Sequence, residues 1–360
     1  MPLSQMGNVV YGRGPTDLRM RLLVLQLKRI GDAILTAPAL RALRSTAPEA
    51  KITVVLHGPS GGLADLLPGA DEVLVWKPGG LNLAILRAIA GGAWDAVLDF
   101  TGTDRSFFLT GLARANQRFA YAKAAGSSWW KSRVAKFPVE ASATDLTTVE
   151  YHLALVKAWA EQNALPANFE SEPPHLKLPK TERAEDFPTE RYAVIHPGTA
   201  RDEKYWPAER WVAVARYLQA AHGLDLVLTG SRDEREFNHL APIRAAGLPL
   251  RDEAGKQDLA GSARIIAGAE IVLSVDSAAM HLAGQFGRPQ IALFGPTNPF
   301  HWAPRHARAV VLGPGGRHLR ADELSPRGYE DGQMESIPAA RVMAAIDGLL
   351  GAGAGGEENR

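Results

Sequence analysis

The sequence has 360 residues, of which 46% are hydrophobic and 22% are charged. These values are typical of folded globular proteins, and the length suits two domains, so a disordered or fibrous chain is excluded. Lys and Arg number 40 against 39 Asp and Glu, a balance that argues against a nucleic-acid coat protein, and the absence of cysteine excludes disulfides, thiolate zinc sites and cysteine nucleophiles.

The N-terminal residues 1–19 lack the apolar core and cleavage site of a secretory signal, so we predict a flexible leader there. No uninterrupted apolar run reaches the length of about 18 residues that spans a bilayer. The sequence therefore predicts a cytoplasmic protein that binds no nucleic acid.

Short apolar runs then alternate with amphipathic segments, a pattern typical of βαβ units around a parallel sheet. In the first half the predicted strands are 21–27, 51–56, 71–76 and 95–100, and the predicted helices are 32–46, 81–91 and 106–115. In the second half the predicted strands are 192–197, 224–230, 269–276 and 289–295, and the predicted helices are 207–222, 233–245, 258–267 and 277–287. Two such α/β halves predict a ligand-binding cleft between them.

Segments outside these two halves have a different character. Residues 171–190 hold four prolines and many charges, which predicts an interdomain linker. A helix near 144–163 precedes the linker, and an amphipathic helix at 337–350 follows the second half. The glycine-rich residues 351–360 predict a disordered tail.

The first chemical motif is Lys28-Arg29-Ile30-Gly31-Asp32, which lies between a predicted strand and a predicted helix. Open α/β sheets place their ligands at the carboxyl ends of strands, so the Asp32 carboxylate is expected to face the cleft. The alternative is that Asp32 only caps the helix. No G-x-G-x-x-G follows the strand, which disfavours a nicotinamide dehydrogenase.

The second motif, residues 196–207, is again a polar loop between a strand and a helix. Lys204 is suited to a diphosphate as a point charge, and Arg201 would add a bidentate contact. The alternative is a solvated charged loop in which Trp206 is a packing anchor.

The third motif, residues 274–281, joins a strand to a helix and combines hydroxyls and small residues with a helix N-terminus, which together predict an anion site. Asp276 and Ser277 would cap the helix, and the small side chain of Ala278 would let a ligand approach the backbone. His281 would reach the same phosphate, although a structural histidine is the alternative. No second histidine or carboxylate stands at metal-ligand spacing, so no metal site is predicted.

Two further strand ends carry polar residues. Glu234 and its neighbour Asp233 would accept hydrogen bonds from ribose hydroxyls or only complement the dipole of the next helix. Thr297, in a turn rich in proline and glycine, would meet phosphate or only form part of a loop.

Residues 105–136 contain seven basic residues, no acidic residue and several aromatic side chains. Arg105, Arg114 and Lys123 belong to this stretch. Basic residues with aromatic neighbours suit an anionic membrane surface or an acidic acceptor, and a solvated charged face is the alternative.

Three of these segments together resemble glycosyltransferase family 9, the ADP-heptose:lipopolysaccharide heptosyltransferases. They are KRIGDAILTAPALRALRSTAPEAKITVV, HPGTARDEKYWP and SVDSAAMHLAGQFGRPQIALFGPTNP, and the likeness extends over about residues 20–350. The resemblance implies a GT-B fold of two Rossmann-like doubly wound domains facing a central cleft. Residues 20–170 would bind the acceptor, and residues 191–336 would bind the nucleotide sugar.

The resemblance also implies an inverting transfer that needs no metal or other cofactor. In the family pattern Asp32 matches the catalytic base and Lys204 matches the lysine at phosphate and sugar. The other implied donor-binding residues are Thr199, Glu234, Asp276, Ser277, Ala278 and His281. The implied donor is ADP-L-glycero-D-manno-heptose, and the implied acceptor is the anionic lipid A and inner core of lipopolysaccharide at the cytoplasmic face of the inner membrane. Arg105, Arg114 and Lys123 are the candidate acceptor contacts.

Three alternatives remain open from the sequence. A nucleotide-sugar epimerase with the GT-B fold would also bind a nucleotide diphosphate in the second half. A family 9 transferase would keep the chemistry while using another nucleotide sugar. A nucleotide-sugar sensor would use the cleft for binding only and would leave Asp32 without a role.

Overall fold

The computed structural model of the chain describes residues 19–166, 169, 173–177 and 191–354. Residues 1–18 of the predicted leader and most of the predicted linker at 171–190 lie outside the described residues, as do residues 355–360 of the predicted tail. Within the described part of the chain, no helix is both long and apolar enough to cross a membrane.

The first half is built on a six-stranded parallel sheet with the order β3-β2-β1-β4-β5-β6. Its strands are β1 Arg21–Gln26, β2 Lys51–His57, β3 Glu72–Trp76, β4 Ala96–Asp99, β5 Gln117–Tyr121 and β6 Phe137–Val139. Its helices are α1 Ile30–Ile34, α2 Ala37–Thr46, α3 Leu83–Gly91, α4 Asp104–Leu112, α5 Ala122–Ala125, α6 Trp129–Val134 and α7 Thr148–Gln162.

The second half repeats this arrangement with the order β12-β11-β10-β7-β8-β9. Its strands are β7 Tyr192–His196, β8 Asp225–Leu228, β9 Leu250–Asp252, β10 Ile271–Val275, β11 Gln290–Leu293 and β12 Ala309–Leu312. Its helices are α8 Ala208–His222, α9 Glu234–Arg244, α10 Leu259–Gly268, α11 Ala278–Gln285 and α12 Ala339–Ala354. Counted within each half, both sheets have the doubly wound order 3-2-1-4-5-6, so the predicted fold class is confirmed.

The central strands are apolar because helices cover both faces of each sheet. Leu22, Leu23, Val24 and Leu25 of β1 all have no solvent exposure, which explains the continuous apolar run. One apolar cluster continues across the junction of the halves, where α1 packs against α11 and α10 packs against the 3-10 helix Gly58–Leu66. This packing holds the carboxyl ends of the two sheets around a common cleft.

The structure also contains strands that the apolar pattern did not predict, namely β5, β6, β9 and β12. Three of them lie at sheet edges, and β6 and β9 are only three residues long, so they lack the long apolar run of a central strand. Strand β5 begins with Gln117 and Arg118, which disguise it as a loop.

Two helix predictions need correction. The single helix predicted at 32–46 is two helices, because Pro38 in the first turn of α2 has no N–H to continue the ladder of α1. The terminal helix continues to Ala354, so residues 351–354, predicted as tail, are helical. The buried side chains of Val342 and Ile346 anchor this helix on the core of the second half.

Candidate active site

A cavity of about 760 Å³ lies between the two halves, at the carboxyl ends of both sheets. Its walls come from the loops that follow β1, β7, β8 and β10. Seven of the eight residues that the family resemblance implied for catalysis and donor binding line it: Asp32, Thr199, Lys204, Asp276, Ser277, Ala278 and His281. Residues more than 240 positions apart in the sequence therefore meet in one cleft, whose volume suits a ligand of nucleotide-sugar size.

Asp32 contributes the carboxylate of the first half. It is the third residue of α1, and the N-cap position belongs to Arg29, so the alternative that Asp32 only caps the helix is wrong. Burial raises the pKa of the Asp32 carboxyl above its usual value, while the positive charges of Lys28 and Arg29 act in the opposite direction. The raised pKa makes this carboxylate a stronger base than an exposed aspartate.

A buried polar network fixes α1 from below. The Gln26 Nε2 atom donates to the Thr36 hydroxyl at 2.8 Å, and that hydroxyl donates to the Asp32 carbonyl at 2.8 Å. The His152 Nδ1 atom of α7 lies 3.2 Å from the Leu35 carbonyl. Burial lowers the pKa of His152 to about 4, so its imidazole is neutral at physiological pH. The network holds the backbone that carries the candidate base.

The second half contributes a cation to the cleft. The Lys204 Nζ atom lies 2.5 Å from the Asp276 Oδ2 atom, and the two side chains are only 13% and 10% exposed. Trp206 is fully buried and donates its Nε1–H to the Ile337 carbonyl at 3.0 Å. Trp206 is therefore a packing anchor, as the alternative had it, but the same loop also delivers Lys204 to the cleft.

The N-terminus of α11 has unused hydrogen-bonding capacity. Ser277 is the N-cap residue, and its hydroxyl makes no capping bond. The hydroxyl oxygens of Ser277 and Thr297 are shielded from solvent and have no hydrogen-bond partner among the described residues. Buried polar groups are normally paired, and the first-turn N–H groups of a helix need partners as well. The arrangement fits an anion such as a diphosphate.

His281 forms the junction between the two halves. It is 7% exposed, and burial lowers its pKa to about 4, so it is neutral at physiological pH. A Cβ atom placed on Gly31 would lie 3.0 Å from the His281 Cδ2 atom. The glycine therefore lets α1 approach α11 closely and sets Asp32 opposite the anion site.

The structure does not bring Glu234 to the cleft wall. It is an exposed residue in the first turn of α9. Glu236 lines the cleft instead, and its carboxylate accepts hydrogen bonds from the Ser231 N–H at 2.7 Å and from the Ser231 hydroxyl at 2.6 Å. Asp233 caps α9 by accepting from the Arg235 N–H at 3.0 Å, and it also lines the cleft, so its capping role does not remove it from the ligand site. The orientation of α9 on the sheet decides that Glu236, and not Glu234, is turned to the cleft.

The three candidate acceptor contacts lie outside the cleft lining. Arg105 is the second residue of α4, and its guanidinium lies 5.9 Å from the centre of the Trp76 ring; Lys123 lies on α5 directly after β5. Arg114 follows the end of α4, and a helix of nine residues is about 13 Å long. Arg114 is therefore separated from the carboxyl edge of the sheet. The basic stretch 105–136 runs along α4 away from that edge and returns to it along β5.

No group of three or more histidine and acidic side chains that could hold a metal ion occurs in the described ranges. Metal independence stays a prediction.

Comparison with known proteins identifies the family. The model of glycosyltransferase family 9 (heptosyltransferase) matches residues 82–322, two thirds of the chain. The chain belongs to glycosyltransferase family 9. The enzyme is 27% identical over 304 residues to lipopolysaccharide heptosyltransferase 1 of Escherichia coli (strain K12), covering 78% of this chain and 89% of the relative. It is 25% identical over 334 residues to lipopolysaccharide heptosyltransferase 3 of Escherichia coli, covering 89% and 96%.

Solved structures give the same fold. The Escherichia coli ADP-heptose lipopolysaccharide heptosyltransferase II superposes with a TM-score of 0.74 at 20% identity, covering 93% of this chain and all of that chain. The Escherichia coli heptosyltransferase WaaC with ADP superposes with a TM-score of 0.73 at 21% identity, covering 92% and 100%. The predicted GT-B fold is confirmed, and family membership favours glycosyl transfer over the epimerase and sensor alternatives.

Proposed function

We propose that this family 9 enzyme transfers heptose from ADP-L-glycero-D-manno-heptose to the inner core of lipopolysaccharide with inversion at the anomeric carbon. One observation carries the proposal: Asp32 of the first half faces the Lys204–Asp276 pair and the N-terminus of α11 across one cleft. The names of the relatives support the choice of heptose and of the lipopolysaccharide acceptor.

Asp32 acts as the general base in this proposal. Its carboxylate takes the proton of the acceptor hydroxyl while the hydroxyl oxygen attacks the anomeric carbon of the heptose. The bond from that carbon to the diphosphate oxygen breaks, and ADP leaves with the bonding electrons. A single displacement of this kind inverts the anomeric centre. General-base assistance contributes about 10²–10⁴-fold to the rate.

The second half stabilises the departing diphosphate. Lys204 and the first-turn N–H groups of α11 place positive charge where negative charge develops, and the hydroxyls of Ser277 and Thr297 have free capacity to donate. When Lys204 turns to the diphosphate, the Asp276 carboxylate becomes available to a hydroxyl of the donor sugar. The small side chain of Ala278 leaves the helix N-terminus open to the ligand.

We further propose that the enzyme needs no metal and meets its acceptor, the anionic lipid A and core, at the cytoplasmic face of the inner membrane. Lys204 and the N-terminus of α11 supply the positive charge that a metal ion would otherwise place at the diphosphate. Activity that survives complete removal of divalent ions by a chelator supports the metal-free reading, and a loss that Mg²⁺ restores contradicts it.

The test is a transfer assay with the purified full chain, ADP-heptose and lipopolysaccharide truncated before its first, second or third heptose. The expected result is release of ADP that depends on the acceptor, together with a mass gain of one heptose on the acceptor. Parallel reactions with UDP-sugars and GDP-sugars control for the nucleotide. Transfer only from another nucleotide sugar would overturn the heptose assignment, and isomerised sugar without any acceptor would indicate an epimerase.

A further inference from the structure

Large apolar side chains are exposed together on one part of the first half. Five such side chains stand out among the described residues, and four of them lie between positions 81 and 129. Leu81 is 82% exposed, Trp129 is 72% exposed, Phe108 is 56% exposed and Leu83 is 53% exposed. None of these four residues lines the active-site cleft. A cluster of this kind marks an interaction surface.

The four side chains belong to one layer of helices, in which α4 packs between α3 and α6. Leu81 and Leu83 lie at the start of α3, Phe108 lies in the first turns of α4, and Trp129 begins α6. In a parallel sheet, a helix that follows a strand begins near the carboxyl edge of the sheet. The exposed apolar side chains therefore lie toward the edge that carries Asp32.

Measured contacts join the starts of these helices. The Arg105 guanidinium lies 5.9 Å from the Trp76 ring centre and so links the start of α4 to the end of β3. The Lys131 Nζ atom lies 2.6 Å from the Asp104 Oδ1 atom, which links α6 to the first residue of α4. The ring centres of Phe107 and Trp130 are 6.1 Å apart. These contacts hold the starts of α4 and α6 against each other and hold the start of α4 against the end of β3.

The charge of this surface is positive. Four exposed basic side chains accompany the apolar ones: Lys77 directly follows β3, Arg105 lies in the first turn of α4, and Lys123 lies on α5 directly after β5. The fourth is Arg133 of α6, whose guanidinium lies 5.2 Å from the Trp129 ring centre. Within the described stretch 77–136, Asp104 is the exposed acidic residue, and its charge is already paired with Lys131. We call the surface formed by Leu81, Leu83, Phe108, Trp129 and these four basic residues the outer rim.

We propose that the outer rim docks the enzyme on an anionic lipid bilayer, with the apolar side chains entering the headgroup region and the basic side chains contacting lipid phosphates. Tryptophan beside arginine is suited to that interfacial depth, and basic residues are attracted to anionic lipid. The choice of a bilayer as the partner rests on the proposed function, in which the acceptor is anchored in lipid. Docking by this edge of the sheet would hold Asp32 near the bilayer surface.

The experiment is sedimentation of the full chain with vesicles that contain no acceptor, so its outcome does not depend on the sugar or acceptor assignment. Vesicles of phosphatidylethanolamine with phosphatidylglycerol are compared with vesicles of phosphatidylcholine. We expect at least tenfold tighter binding to the anionic vesicles, weakening as salt screens the charges. The double variant F108S/W129S is expected to bind at least tenfold more weakly, and Lys77→Gln about fivefold more weakly.

Two matched controls separate the outer rim from general effects. Phe237 of α9 is 53% exposed and stacks with Arg244 at 4.2 Å, so Phe237→Ser removes a similar aromatic side chain from the second half. Lys136 is exposed but precedes β6 at the opposite edge of the first sheet, so Lys136→Gln removes an equal charge. Both variants are expected to bind anionic vesicles within twofold of the parent.

Three results would overturn the proposal. The first is equal binding, or none, with the two kinds of vesicle. The second is a loss in the control variants as large as the loss in the rim variants. The third is a change in molar mass on F108S/W129S substitution, measured by light scattering, which would assign the outer rim to contact between two copies of the chain. Unchanged ADP binding and thermal unfolding verify that the rim variants are folded.

Discussion

Asp32→Asn removes the candidate base with little change of shape. The carboxylate lines the cleft and accepts a hydrogen bond from its own backbone N–H, which the amide oxygen of asparagine can also accept, so the substitution preserves that contact. Because burial raises the pKa of this carboxyl, the base is stronger than an ordinary aspartate. We expect kcat to fall about 10³-fold, within the 10²–10⁴ range of general bases, which corresponds to about 4 kcal/mol of transition-state stabilisation.

The assay measures acceptor-dependent release of ADP over a range of pH, and calorimetry measures the affinity for ADP. In the parent enzyme, activity falls on the acid side as Asp32 is protonated, at a pH above the usual aspartate value. This acid limb is expected to disappear in the Asn variant, while the affinity for ADP stays within about twofold because a base acts on the acceptor. A variant that keeps kcat within threefold of the parent would refute the assignment.

Three further predictions concern the rest of the site. Lys204→Ala should lower kcat about 10²–10³-fold and destabilise the fold by about 3 kcal/mol, because Asp276 stays buried without its cation. Adding Asp276→Asn should restore stability, measured by denaturant titration, without restoring turnover. Restored turnover in the double variant would contradict the role of Lys204. His152 binds a proton below about pH 6.5 in the unfolded chain but only below about pH 4 in the folded protein. As the pH falls from 6.5 to 4, the free energy of unfolding of the parent should therefore decrease by up to about 3 kcal/mol relative to that of His152→Gln. Curves of stability against pH that run parallel for the two proteins would contradict this. Gly31→Ala places a Cβ atom 3.0 Å from the His281 side chain. The variant should lose at least tenfold in kcat/KM, measured by steady-state kinetics, while its free energy of unfolding changes by less than about 1 kcal/mol. Full activity would show that the close approach of α1 to α11 is dispensable.

The sequence was most informative where one local rule determined the structure. Central strands of a doubly wound sheet are covered on both faces, so runs such as 21–27 are apolar throughout and were predicted nearly to the residue. Lys204, Asp276 and Asp32 follow such strands, and the carboxyl ends of parallel strands meet at one edge. Their convergence on a cleft was therefore predictable without coordinates, and the structure places them there.

Other features depended on contacts between residues far apart in the chain. Glu234 and Glu236 are both glutamates in the first turn of α9, and the packing of that helix turns Glu236 to the cleft. His152 lies 126 residues from Gln26, and no local pattern marks it as a support of α1. Short edge strands such as β9 form because a neighbouring strand is available to pair with them, which a propensity cannot reveal.

The sequence by itself therefore determined the two parallel-sheet halves and the identities of the charged residues at the ends of their strands, because burial on both faces and helix starts leave periodic marks in the chain. The tertiary structure decided which of those residues share the cleft, how closely Gly31 and His281 approach, and that the exposed apolar side chains between positions 81 and 129 belong to neighbouring helices of one layer. These properties arise from the packing of one element against another, and that packing leaves no period in a linear sequence.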